Sequence, residues 1–186
     1  MLYPFDHDRF RDRILHWFAR HQRDLPWRQT YEPYHVWVAE IMGQQTQLER
    51  AAEYFRRWIN RFPDIRAVAD ASEQEILKAW EGLGYYRRAR NLQRAARQLL
   101  ADHEGEIPAD YQALLALPGI GPYTASAIVS IAFNESRPVL DANVSRVLAR
   151  VADIDQPVRC QAVQKALNRL LWELVPADGG VISTRP

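Results

Sequence analysis

One stretch limits the possible folds of this chain more than any other. It opens Leu117-Pro118-Gly119-Ile120-Gly121-Pro122-Tyr123-Thr124-Ala125, continues as apolar residues to Phe133, and closes on Ser136-Arg137-Pro138-Val139-Leu140-Asp141. Two glycines around one isoleucine make a turn too tight for most side chains. Pro118 fixes the approach to it, and Pro122 stands where proline suits a helix start. The chain must therefore bring two helices together at this point. Such a turn points successive backbone N–H groups outward from a helix N-terminus, which makes an anion site whose natural guest is a phosphate diester. A plain connector between helices is the alternative that spacing leaves open.

The rest of the chain supplies helices to surround that hairpin. Phe10, Ile14, Leu15, Trp17 and Phe18 mark one face of a first helix from about Asp8 to His21. The segment from Leu25-Pro26-Trp27-Arg28 to Pro33 reads as a loop, and a buried helix follows from Tyr34 to Gln47. Amphipathic helices are expected over 50–62 and 74–81, the second with capping-box spacing at Ser72 and Glu75. After the Gly82-Leu83-Gly84 break, a helix carries Leu92, Ala95, Ala96, Leu99 and Leu100 inside. Helices over 111–116, 124–133, 142–153 and 159–174 complete the reading, and the tail from Pro176 to Pro186 reads as disordered. No strand pattern persists, so an all-α fold of about ten helices is expected.

Composition removes several functional classes. The chain has 186 residues, 47% of them hydrophobic, enough for one compact unit or two small lobes. A net charge of +1 does not announce nucleic acid, although a basic patch can be local. The single cysteine, Cys160, excludes an internal disulfide and any four-cysteine metal or iron–sulfur site built from this chain alone. No run of about 18 uncharged apolar residues exists, so no membrane span is expected. The N-terminus lacks a secretion signal, and a cytoplasmic protein is the default expectation.

Three clusters could carry chemistry. Glu40 stands among Val36, Trp37, Ile41 and Met42, where a carboxyl is expensive unless paired or solvated; a place on the helix's wet side is the other reading. Gln44-Gln45-Thr46 ends that helix in hydrogen-bonding side chains, as a polar loop also would. Tyr85 and Tyr86 precede five arginines between residues 87 and 97, which suits a nucleic-acid backbone or simply a solvated helix face.

Taken together, the hairpin spelling and Asp141 resemble the helix-hairpin-helix and Gly/Pro-rich-loop–Asp signature of base-excision DNA glycosylases, over roughly residues 20–175. Leu25–Arg28, Glu40–Gln47, Gly82–Leu92 and Leu140–Val147 resemble the MutY adenine DNA glycosylases in particular. That resemblance implies a two-lobed fold with the active site in the cleft, one lobe spanning 28–134 and the other 1–27 with 135–186. It implies removal of adenine mispaired with 8-oxoguanine or guanine from double-stranded DNA, with the adenine flipped out of the duplex. Glu40 matches the general acid and Asp141 the carboxylate that stabilises the sugar cation. Asn143 matches an orienting residue, and Tyr123 one that lines the site. Arg23, Leu25, Trp27 and Arg28 correspond to the adenine pocket. Gln45 and Tyr85 correspond to wedges, and Thr46, Arg88, Leu117, Gly119, Gly121 and Thr124 to DNA contacts. The Leu117 and Ile120 carbonyls correspond to ligands of a monovalent cation.

Bifunctional relatives place a lysine where this chain has Tyr123, so the resemblance implies a monofunctional enzyme; Ser145 stands at another position where the family often has lysine. The family's [4Fe–4S] motif and its 8-oxoguanine recognition domain have no counterpart up to Pro186, so no cofactor is expected in this chain. A bacterial, nucleoid-associated monomer follows from the same likeness. Three readings stay open: an active cluster-free adenine glycosylase, a DNA-binding remnant of weak activity, and a glycosylase for thymine or uracil opposite guanine.

Overall fold

A computed structural model describes residues 5–176. Among the described residues the regular structure is helical: α1 (His7–His21), α2 (Trp27–Thr30), α3 (Pro33–Gly43), α4 (Leu48–Arg61), α5 (Ile65–Asp70), α6 (Glu73–Trp80), α7 (Arg87–Asp102), α8 (Tyr111–Leu115), α9 (Pro122–Ala132), α10 (Ala142–Val151) and α11 (Gln161–Leu174). None of them is long and apolar enough to cross a membrane. The expected disorder of the tail concerns residues 177–186, which lie outside the described residues. The chain divides into two compact units, Asp24–Phe133 and Met1–Arg23 with Asn134–Pro186. The first division falls ahead of Asp24 rather than after Trp27. Leu25 is buried, and the Trp27 ring packs edge-on against Phe55 at 5.3 Å, which ties both to the central unit.

The central unit is built around α3. Tyr34, Val36, Trp37, Val38, Ala39, Ile41 and Met42 are all buried, and a helix apolar on nearly every side belongs inside. It packs against α2, α4, α7 and α9. Trp37, Trp58 and Trp80 are among the largest fully buried side chains, and each such ring contributes a few kcal/mol of burial, about 1.5–3 by the usual scale for a large side chain. Trp58 and Trp80 meet edge-on at 5.5 Å. The indole N–H of Trp58 donates to the Tyr34 hydroxyl at 3.1 Å, which donates to the Phe62 carbonyl at 2.7 Å, so the polar ends of these two rings are satisfied, whereas the buried indole nitrogen of Trp37 has no partner. Helix α9 buries Thr124, Ala125, Ser126, Ala127, Ile128, Val129 and Ser130. Its small side chains let α9 lie close on α3.

Local sequence sets most of the helix ends. Ser72 Oγ accepts from Glu75 N at 3.2 Å while the Glu75 carboxylate accepts from Ser72 N at 3.0 Å, closing the expected capping box of α6. Helix α5 was not expected; Asp64 caps it by accepting from Ala67 N at 2.7 Å, and one and a half turns are too short for a periodic signal. Helix α3 stops at Gly43, so Gln44-Gln45-Thr46 forms a turn beyond the helix rather than its last turn.

In the second unit α11 packs against α1 and α10. Leu148, Ala149, Ala152, Val163, Leu167, Leu170 and Leu174 form its core, with Phe10, Leu140 and Val144 packed against it. Helix α1 contains no fully buried residue, and Ile14 and Trp17 on it are exposed.

Candidate functional site

The hairpin lies between α8 and α9. Ile120 N donates to the Leu117 carbonyl at 3.2 Å, closing the turn. Gly119 has φ +82°, and a Cβ there would lie 2.7 Å from Cβ of Asn91 on α7, so geometry and space both demand glycine. Gly121 differs. Its φ is −97° and a Cβ there would meet nothing within 4 Å. It forms the N-cap of α9 without a side-chain cap, and Pro122 follows in the first turn. Leu117 and Ile120 are buried, and Thr124 is buried one turn into α9. The carbonyls of Leu117 and Ile120, expected to hold a monovalent cation, flank the Gly119 turn, and that of Leu117 is partly engaged by the Ile120 N–H.

Two further turns belong to the same unit. In the first, Gln45 adopts φ +55°, Thr46 Oγ1 donates to the Gln44 carbonyl at 3.3 Å, and Gln44 Nε2 donates to Thr124 Oγ1 at 3.4 Å. In the second, Tyr85 adopts φ +47° and is exposed. Left-handed backbone at non-glycine residues is uncommon and costs about 1 kcal/mol or more, so both turns must be held from elsewhere. They are. Tyr54 donates to the Glu81 carbonyl at 2.8 Å, Arg50 to that of Gly82 at 2.5 Å, and Trp80 to that of Gly84 at 3.0 Å. Arg88 donates to the carbonyls of Leu83 and Gly84 at 3.2 and 3.3 Å, and to those of Ile41, Met42 and Gln44 at 2.9, 3.1 and 2.6 Å. Ile41, Gln44, Gln45, Tyr85, Arg87, Arg88, Asn91 and Gly119 line a cavity of about 250 Å³. Arg88, expected among the DNA contacts, thus spends its guanidinium on the protein's own main chain.

Glu40 projects from α3 and is half-buried, between the buried Ala39 and Ile41. Burial pushes its carboxyl up from 4.5 to about 7, and the Arg28 guanidinium opposes that shift. Desolvation penalises the ionised form, so the group holds a proton near neutrality. Arg28 belongs to α2, beside Trp27, whose ring packs on the core. The turn that starts α2 is closed by Arg28 N on the Leu25 carbonyl at 2.9 Å. Leu25, Trp27, Arg28 and Glu40 therefore share the central unit, whereas Arg23 is exposed and belongs to the other unit.

Asp141 is the N-cap of α10. One carboxylate oxygen accepts from Val144 N at 2.7 Å, and the other accepts from Asn143 Nδ2 at 3.4 Å. The cap fixes the orientation of the carboxylate. Asn143 is exposed, and its own oxygen accepts from Arg146 at 3.3 Å. Both belong to the second unit, with Arg23. Tyr123, in the first turn of α9, is exposed. Sequence reasoning did not single out Asn91, the α7 residue against which Gly119 closes. A lone asparagine between arginines carries no periodic signal. Among the described residues no group of three or more histidine, cysteine, aspartate or glutamate side chains could hold a metal ion. Cys160 is exposed, and a single thiolate does not fit the ligand set of an iron–sulfur cluster.

A family model described as HhH-GPD superfamily base excision DNA repair protein matches residues 38–177. The adenine DNA glycosylase of Mus musculus is 41% identical over 181 residues, covering 92% of this chain and 35% of that protein. That of Buchnera aphidicola subsp. Acyrthosiphon pisum is 36% identical over 168 residues, covering 90% of this chain and 48% of the relative. That of Mycobacterium tuberculosis is 42% identical over 138 residues, 74% of this chain and 45% of the relative. The chain thus spans less than half the length of these relatives. Among solved structures, a thermostable thymine-DNA glycosylase superposes with a TM-score of 0.82 at 27% identity, covering 95% of this chain and 84% of the other. A trapped endonuclease III–DNA covalent intermediate gives a TM-score of 0.77 at 22% identity, over 97% of this chain and 84% of the other, a likeness of fold.

Proposed function

The chain belongs to the HhH-GPD superfamily of base excision DNA repair proteins, and from that membership we propose that it is a monofunctional glycosylase releasing adenine from mispairs with 8-oxoguanine or guanine in duplex DNA. Glu40 carries the proposal. A carboxyl that keeps its proton to about pH 7 is what a poor leaving group such as adenine requires. The identity to adenine DNA glycosylases over 92% of the chain supports the choice of base.

In this reading the adenine is extruded from the stack, at a general cost of a few kcal/mol, and Gln45 and Tyr85 fill the space left in the duplex. Leu25, Trp27 and Arg28 receive the base. Glu40 donates its proton to a ring nitrogen of adenine, and the bond between that base and C1′ of the sugar breaks. The electron pair of the bond leaves with the base, and C1′ becomes an oxocarbenium ion. Asp141 stabilises that positive charge, held in place by the Val144 amide and Asn143. Water adds to C1′, its proton leaves to a basic group, and an abasic site remains. Tyr123 has no amine, so no Schiff base forms and the strand stays intact until alkali is added. The hairpin N-terminus of α9 grips a phosphate, with Leu117, Gly119, Gly121 and Thr124 shaping the turn and Thr46 beside it. A monovalent cation at the Leu117 and Ile120 carbonyls would add positive charge there.

A second reading has one observation behind it, the 27% identity and 0.82 TM-score to a thymine-DNA glycosylase. One assay separates the two. Duplexes carrying A opposite 8-oxoguanine or G, and T or U opposite G, are incubated with the protein and then treated with alkali. Cleavage at A alone is expected. Cleavage at T or U alone would support the second reading, and cleavage nowhere would leave a DNA-binding protein without glycosylase activity.

A further inference from the structure

Arg88 is unusual in what it binds. Its two terminal nitrogens carry four N–H groups, and they donate to five main-chain carbonyls drawn from the end of α3 and from two separate turns. Its Nε is buried without a partner, and the hydrogen bonds of its terminal nitrogens go to the protein itself. Two of the five carbonyls, Ile41 and Met42, belong to the last turn of α3, where helix carbonyls lack intrahelical partners and a cation is favourable. The other three lie in the two turns that display Gln45 and Tyr85, the exposed residues with left-handed backbone at the mouth of the same cavity. The guanidinium also lies 5.6 Å from the Tyr85 ring and 5.3 Å from the buried Trp80 ring.

We propose that Arg88 is a positioning residue rather than a DNA contact: its guanidinium braces the Gln45 turn against the Tyr85 turn and so sets how sharply the protein distinguishes a mispair from a matched pair. The functional half of this rests on the glycosylase reading, in which those two side chains enter the duplex. The physical half rests on the fork geometry alone. An ammonium keeps the charge but concentrates three donors at one point, and so cannot span both turns. Tyr54 holds only the second turn, through Glu81.

Arg88→Lys, Arg88→Met and Tyr54→Phe are the informative variants. Hydrogen exchange should show the amides of residues 44–46 and 83–86 losing protection together in both Arg88 variants, with the buried helices unchanged. In Tyr54→Phe only the second segment should loosen. Equilibrium binding to mispaired and matched duplexes should show the affinity ratio falling about tenfold in Arg88→Lys, as expected for a small misplacement of recognition groups, and less in Tyr54→Phe. In Arg88→Met, which removes the charge, the slope of log affinity against log salt should stay at its wild-type value. A slope smaller by about 0.9 with the affinity ratio intact would make Arg88 a phosphate contact and overturn the proposal. Loosening confined to one turn would overturn the brace. If the wild-type protein does not discriminate between duplexes, the glycosylase reading and the functional half fall together, and the exchange data still decide whether one arginine holds both turns.

Discussion

In the proposed reading the chemistry turns on Glu40 and the hairpin glycines, and each predicts a measurable asymmetry. The native state of Glu40 favours the protonated form, since its pKa is raised from 4.5 to about 7. Below pH 4.5 the folded and unfolded chains both hold this proton, and it has no effect on stability. Between 4.5 and 7 the unfolded chain loses the proton first, so stability falls as pH rises. Above 7 the penalty is complete, at about 3 kcal/mol. Glu40→Gln should therefore melt like the wild type near pH 4 and several degrees higher near pH 8, while releasing no base at either pH. Wild-type turnover should decline through pH 7 as the acid ionises, and Arg28→Ala should move that decline upward by removing the opposing charge. Equal melting shifts at both pH values would place Glu40 in water. At the hairpin, Gly119→Ala must adopt φ +82° against Asn91 and should lower stability by about 1–3 kcal/mol. Gly121→Ala, with open space and φ −97°, should change stability by less than about 1 kcal/mol and instead weaken duplex binding, because in the proposed reading the methyl stands where a phosphate approaches. Thermal melts paired with binding isotherms separate the two.

At the level of elements, Asp141 serves two purposes, helix cap and carboxylate, and substitutions can divide them. Asparagine caps as well as aspartate. Asp141→Asn should leave stability within a few tenths of a kcal/mol yet abolish base release, whereas Asp141→Ala should also lose about 1 kcal/mol. A stability loss in both of equal size would mean that the cap depends on charge. The elements also show what the sequence disclosed. The capping box of α6 was legible because two residues at fixed spacing determine it. The buried character of α3 was legible because its residues are apolar on almost every side. Helix α5 was not, since its three inward residues over six positions cannot be told from a loop. The end of α3 at Gly43 was also hidden, because Gln44 and Gln45 are competent helix formers, and the tertiary bonds that hold the turn, from Arg88 to the Gln44 carbonyl and from Gln44 to Thr124, have no local sequence signal. The arginine run from 87 to 97 shows the same limit. Arg90 pairs with Glu73 at 2.6 Å and Arg97 donates to the Ala69 carbonyl at 3.0 Å, so much of a cluster that looked like a backbone-binding face secures α7 to its neighbours.

For the molecule as a whole, the two units differ in how much they bury. The central unit contains Trp37, Trp58, Trp80 and most of the buried side chains; the other has, among the described residues, a core of seven buried hydrophobic residues and a first helix with none. Native-state hydrogen exchange should accordingly show α3, α7 and α9 among the slowest amides and α1 among the fastest. Uniform protection across both units would contradict this. With a net charge of only +1, the proposed duplex affinity would have to come from local donors such as the hairpin rather than from the whole surface, and it should fall as salt rises. The central claim is that this chain releases a base through a protonated Glu40, with the Asp141 side chain stabilising the sugar cation. It is tested most directly by alkali-dependent cleavage of an 8-oxoguanine:A duplex by wild type, Glu40→Gln and Asp141→Asn, with binding to the same duplex measured in parallel. The account predicts cleavage at the adenine by wild type alone, with all three proteins binding the duplex comparably. Cleavage undiminished in either variant would contradict it.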